Sequence, residues 1–361
     1  MSETTPIQFR EDVLKKFFGH IKSGESFFVV GAPSVGKTRL MDFLMGDDPD
    51  AIRRGIKPDH QRVKSHYLGE DSAAKTWLAR VDMNRLHSKN DWSFHFFELL
   101  LHTLLLTCNK NEPGAENDEM KARLASLDAD VIQSGNSLKA HRFLEMAVDY
   151  LYQSYGVKIC FLFDEFDEVY KEMPRELFAQ LRGVRDANKY RIFYALFLRN
   201  LPDRLRSPKD NESFYELISR NMVGIGPYSL QDTLYIIRQL ENRHDYELSQ
   251  KKREWICVTS GGHPGLIQAL LAIFRNQSGA VAQMENVQWF AGQEPVREEF
   301  RKIWEGLLDD EKSGLREFAR GNKSAMSQDT GKLLAAKGLL KPSGSEMILF
   351  TPLFENWLLK Q

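Results

Sequence analysis

Across 361 residues, 49 Lys plus Arg stand against 50 Asp plus Glu, and 42% of positions are hydrophobic. That is enough chain for two or three packed domains. The near-zero net charge excludes a histone-like or polybasic protein and leaves any nucleic-acid contact to a local patch. Cys108, Cys160 and Cys257 lie far apart and form no CxxC, which argues against a disulfide framework and a thiolate zinc site and fits a reducing cytoplasm. Met1–Thr5 has neither a basic n-region nor an apolar h-region. No apolar run approaches the ~18 residues that cross a bilayer, so a soluble, cytoplasmic protein with no membrane contact is expected.

In chain order, residues 11–22 place Val13, Leu14, Phe17, Phe18 and Ile21 at helical spacing, and Ser26 to Val30 follow as a short buried strand. A glycine-punctuated loop leads into a helix over Arg39–Met45. The stretch 46–75, with Asp47-Asp48-Pro49-Asp50 and Lys57-Pro58-Asp59, is polar and aperiodic and reads as an exposed insertion. Trp77–Val81 is a second strand, ending at Asp82, and Ser93–Leu106 an apolar helix. Asn109–Asn117 reads as loop, and 138–155 as a helix stopped by Gly156.

The uninterrupted apolar runs Ile159–Phe163 and Tyr190–Leu198, with a shorter one at Met222–Ile225, have the pattern of central parallel strands covered on both faces. Strands alternating with helices imply a doubly wound α/β domain. Beyond Pro227 helical spacing takes over. A small helical unit is followed, from about 295, by helices near 300–307, 311–319 and 328–337. A turn at Pro342–Ser345 then separates two short strands. Three helices and a two-stranded wing suggest a winged helix. The expected boundaries are an α/β core over 1–227, a helical lid over 228–294 and a winged-helix domain over 295–361.

Gly31-Ala32-Pro33-Ser34-Val35-Gly36-Lys37-Thr38 matches G-x-x-x-x-G-K-[ST] between a strand and a helix. The glycines let successive N–H groups converge on phosphate oxygens at a helix N-terminus whose dipole favours anions. Lys37 is expected to reach the β- and γ-phosphates, the Thr38 hydroxyl to ligate Mg2+, and Arg39 to follow in the nucleotide-binding segment.

Asp164 and Glu165 end the buried strand 159–163, at the edge where open α/β sheets hold ligands. Asp164 is the candidate Mg2+ anchor, direct or through water, and Glu165 the candidate base that orients the attacking water. Two such acids are otherwise a helix N-cap and its first turn. Asp167 and Glu168 are expected to be solvated. Arg199, directly after the strand 190–198, could touch the γ-phosphate or be a surface residue at a strand end. Arg220 reads as a surface arginine or a finger toward a neighbouring subunit. Gly261-Gly262-His263-Pro264 opens a helix and could be a plain helix junction.

Together these residues resemble the STAND branch of the AAA-like (ASCE) P-loop ATPases, with kinship to initiator-type, origin-recognition ATPases. In that resemblance Gly31–Thr38 is Walker A, Ile159–Glu165 is Walker B with the catalytic glutamate, and Arg199 is the sensor after the fourth core strand. Gly262-His263-Pro264 matches the G-x-P motif of the lid, with His263 and Pro264 near the nucleotide, and Leu349–Leu358 matches the end of a winged helix. Ile7-Gln8-Phe9-Arg10-Glu11 lacks the glycine of the family's adenine-contacting segment. Walker A beginning at Gly31 and a chain closing on the wing suggest an isolated switch module.

The resemblance implies an ATP/ADP-binding, Mg2+-dependent, slowly hydrolysing switch that assembles with itself or a protein partner. A DNA-associated ATPase of the initiator or transposition-regulator kind is the alternative. Residues 300–361 hold ten Lys plus Arg and eight Asp plus Glu, and Gln328, Asp329, Lys332 and Lys337 make a mixed set on the helix that would read DNA. That composition favours a protein partner over DNA.

Overall fold

A computed structural model describes residues 6–46, 60–86, 91–110 and 114–361. Met1–Thr5, both motifs of the expected insertion (Asp47–Asp50 and Lys57–Asp59) and the centre of the 109–117 loop lie outside the described residues. The chain divides into two compact units, one of Met1–Val29 with Thr38–Val223, the other of Val30–Lys37 with Gly224–Gln361.

The first unit is built on a parallel sheet of five strands, β1 (Phe27–Val30), β2 (Thr76–Asp82), β3 (Lys158–Asp164), β4 (Ile192–Leu198) and β5 (Met222–Gly224), in the order β2-β3-β4-β1-β5. In β1 and β4 every residue is buried, and in β3 only Lys158 is exposed, as expected of strands covered by helices on both faces. Phe163 anchors an aromatic core, with ring centroids 4.9 Å from Phe166 and 5.8 Å from Tyr194. Register places Asp82 level with Asp164, so two carboxylates end adjacent strands.

Helix ends follow local chemistry. Asp91 and Asn136 cap helices Trp92–Cys108 and Ser137–Tyr155 by accepting from Phe94 N and Lys139 N. Two expectations change here. The C-terminal part of the polar stretch 46–75 is helical, over His60–Leu68 and Glu70–Ala74. Val63, Lys64, Leu68 and Ala73 supply its buried positions, too few for a recognisable period. β4 begins at Ile192 rather than Tyr190, because Tyr190 takes a left-handed φ of 67° and Arg191 N turns back to Asn188 O. Helix Ala115–Ser134 was not legible, since its apolar positions are sparse among charged ones.

The second unit carries helices Leu230–His244, Gln250–Ser260 and Pro264–Asn276, then Glu294–Glu305, Asp309–Ala319 and Gln328–Ala336. An antiparallel hairpin, β6 (Leu340–Ser343) with β7 (Glu346–Leu349), and helix Pro352–Leu358 follow. Phe300, Phe354 and Trp357 form its C-terminal core, the last two rings stacked at 5.8 Å. No helix among the described residues is long and apolar enough to cross a membrane.

Candidate functional site

The loop after β1 has the backbone that an anion cradle requires. Gly36 stands at φ 94° and Ser34 at φ 56°, left-handed conformations of the kind that build backbone anion nests. At Gly31 a Cβ would fall 2.8 Å from Ile225 O and 2.9 Å from Val35 Cγ1, so only glycine fits. Lys37 Nζ donates to Gly31 O at 2.6 Å and Ala32 O at 3.0 Å, which holds the ammonium over its own loop. Lys37 opens helix Lys37–Met45, with Thr38 and Arg39 in its first turn. Left-handed turns, a helix N-terminus and an ammonium beside them are the features that favour an anion.

Within the second unit this loop is packed by the C-terminal helices. Pro33 lies against Gly306, where the end of helix Glu294–Glu305 leaves no room for a side chain. Gly224 meets the backbone of Ala336, and Gly338 that of Gly226 and Pro227. Glycines at 224, 306 and 338 thus allow close approach of backbone to backbone or to proline. Pro264 occupies the first turn of its helix. His263 is 1% exposed, and its ring lies 5.6 Å from that of Phe350, next to the end of β7. Thr351 Oγ1 donates to Thr259 O beside it. The Gly261–Pro264 segment therefore links helices Gln250–Ser260 and Pro264–Asn276 and packs on the end of the C-terminal hairpin.

In the first unit the acids after β3 are organised by two arginines. Arg80 on β2 donates through Nη2 to Asp164 Oδ2 at 2.7 Å and through Nη1 to Asp42 Oδ1 at 2.7 Å. Burial opposes the guanidinium charge, but Asp164 and then Asp42 outweigh it and raise its pKa. Asp164 Oδ1 accepts from Glu165 N at 3.1 Å. Asp164 is thus engaged on both carboxylate oxygens. Sequence reading missed Arg80; its only signal was a charged residue inside an otherwise apolar strand.

Glu165 adopts φ 49°, a left-handed conformation sparsely used by non-glycine residues and frequent at functional sites. That geometry leaves its carboxylate half exposed, with Arg199 Nη2 3.9 Å from Oε1. Asp167 is not solvated as expected. It is 6% exposed and accepts from Arg199 N at 3.0 Å and Asn200 N at 3.2 Å, tying the turn after β4 to the turn after β3. Glu168 is exposed and pairs with Lys171 at 2.8 Å. Arg220 is exposed.

Lys337 also departs from expectation. It is not a solvent-facing cation but lies fully buried, 2.6 Å from Glu311 Oε1. Glu311 Oε2 in turn accepts from Leu308 N at 2.8 Å. On helix Gln328–Ala336, Lys332 stays exposed, 3.9 Å from Asp329.

No protein-family model matches the sequence, and no curated protein sequence matches it. Solved structures do match. The Walker-type ATPase of Pyrococcus abyssi aligns over 97% of this chain and 95% of its own, at 12% identity and a TM-score of 0.50. This chain has the fold of an AAA+ P-loop ATPase. The ORC2 protein of Aeropyrum pernix, in ADPNP–ADP complexes, aligns over 96% and 91% at 14% identity and a TM-score of 0.47. Cdc6p of Pyrobaculum aerophilum aligns over 97% and 94% at 13% identity and a TM-score of 0.39.

Proposed function

We propose that the protein binds ATP with Mg2+, hydrolyses it, and uses the nucleotide state to move its C-terminal helices and hairpin. The observation that carries this reading is the P-loop itself, whose Pro33 is seated against Gly306 within the second unit. The amides of residues 31–38 and the Lys37 ammonium bind the phosphates. The Thr38 hydroxyl, with Asp164 acting through water, would hold Mg2+, which when bound offsets charge on the phosphate oxygens. Glu165 accepts a hydrogen bond from the attacking water and Arg199 stabilises charge on the γ-phosphate. His263 and Pro264 act on the nucleotide through the lid. A ligand that fills the loop changes what Pro33 can pack against, which is the differential contact a switch needs.

Two outputs fit such a switch. Nucleotide-dependent assembly with itself or a protein partner, as in STAND proteins, draws only on the sequence resemblance. A DNA-associated ATPase of the initiator kind has an observation of its own. Lys312, Arg316 and Arg320 recur every four residues along helix Asp309–Ala319 and its C-cap, so they share one face. Arg316 lies 4.8 Å from the Trp304 ring. The basic row puts the DNA-associated output first.

The test is labelled-ATP binding, phosphate release and mass in solution, with and without duplex DNA. Lys37→Ala should fold normally and lose ATP binding; retained affinity would sink the P-loop reading. Duplex binding whose salt slope falls by about 0.9 for each of Lys312→Glu and Arg320→Glu supports the DNA output. No duplex binding, with ATP-dependent change in mass, would favour the assembly switch instead.

A further inference from the structure

A second cluster of ligand-type side chains lies in the first unit, where helix Trp92–Cys108 packs on helix Ala115–Ser134. Glu98 and His102 are four residues apart and share a face of the first helix. Asp128 meets them from the second. One ligand atom from each residue lies within 4.8 Å of the other two, and His102 Nδ1 is 3.3 Å from Asp128 Oδ2.

Asp128 is 7% exposed, and its Oδ1 is buried with no hydrogen-bond partner. A buried carboxylate oxygen without a donor is costly and calls for a missing cation or proton. Two carboxylates and one imidazole thus converge around a buried oxygen that no protein donor satisfies.

We infer that Glu98, His102 and Asp128 bind a divalent transition-metal ion, Zn2+ in the first instance, that fastens these two helices together. The donor set of one imidazole and two carboxylates suits Zn2+ and disfavours Mg2+ and Ca2+, which prefer oxygen alone. Tetrahedral ligands at ~2.0–2.2 Å from Zn2+ sit roughly 3.4 Å apart. Glu98 and His102, both partly exposed, have the freedom to close that difference around the buried Asp128. A fourth position remains for water.

The experiment uses the full chain, stripped with chelator and free of nucleotide, titrated with Zn2+, Co2+ and Mg2+. Expected are one equivalent of Zn2+ bound, visible d–d bands with Co2+, and no comparable response to Mg2+. Free Zn2+ at ~100 times its Kd should shift the folding equilibrium about 100-fold toward the native state. His102→Ala and Asp128→Asn should each weaken Zn2+ binding by on the order of 100-fold or more. Should Asp128→Asn fail to fold, Glu98→Gln, at a partly exposed position, provides the same comparison. Absence of uptake, or equal uptake by wild type and variants, would reduce the cluster to a His102–Asp128 hydrogen bond and overturn the inference.

Discussion

Arg80, two residues before the end of β2, reaches Asp164 at the end of the adjacent β3, with Nη2 donating to Oδ2 at 2.7 Å. The acid proposed to act on Mg2+ is therefore oriented by a cation of the sheet, which also reaches Asp42 on helix Lys37–Met45. Arg80→Met would strand two part-buried carboxylates and should destabilise the fold by about 1–3 kcal/mol. Urea unfolding should show a lower midpoint at unchanged slope. The variant should also lose ATP turnover beyond what instability explains, because Asp164 is no longer held. Wild-type turnover in folded Arg80→Met would restrict the pair to a structural role.

Glu165 is half exposed beside Arg199 and free of the constraint that binds Asp164. Glu165→Gln preserves size but cannot draw a proton from water as a carboxylate does. ATP binding should persist while hydrolysis falls ~10²–10⁴-fold. Filter binding and phosphate release read the two separately, and loss of binding with hydrolysis would assign Glu165 to nucleotide capture.

The buried pair Lys337–Glu311 makes a stability prediction where a binding role was expected. Lys337→Ala leaves Glu311 charged in the core and should cost about 3–5 kcal/mol. Lys337→Met combined with Glu311→Leu removes both charges and should recover most of that loss. Chemical denaturation of the single and double variants checks the sign of the coupling. Lys332→Glu, at an exposed site, should change stability by less than about 0.5 kcal/mol.

Lys64 is 6% exposed, and burial lowers its pKa from 10.5 to about 8. Between those values the unfolded chain binds the proton and the folded chain does not, so stability should rise as pH climbs from about 8 toward 10.5. Below pH 8 both states are protonated and the full penalty, on the order of 3 kcal/mol, is present. Lys64→Met should raise the thermal midpoint at neutral pH and flatten this rise. Parallel pH dependence in wild type and variant would show that Lys64 is solvated in the folded state.

Several features follow from the amino-acid sequence alone, because they are encoded by neighbours along the chain. The P-loop needs eight consecutive residues between a strand and a helix. The apolar runs at Ile159–Phe163 and Tyr190–Leu198 need no partner to read as buried strands, though the second begins only at Ile192 in the fold, and Pro264 in Gly261-Gly262-His263-Pro264 marks a helix start by local backbone preference. Such signals survive without a tertiary structure because conformational restriction and hydrophobic period act within one element.

What only the tertiary structure decided concerns charges that find partners far away in sequence. Arg80 takes its meaning from Asp42 and Asp164, Asp167 from the amides of Arg199 and Asn200, and Lys337 from Glu311. Read along the chain, each is one more polar residue next to a strand or on a helix. Whether a charge is solvated or buried depends on desolvation balanced by a specific counter-charge, and that balance is set by packing between elements. Helix Ala115–Ser134 was missed on the same ground, since its few buried side chains gain order from the helices they meet rather than from their own spacing.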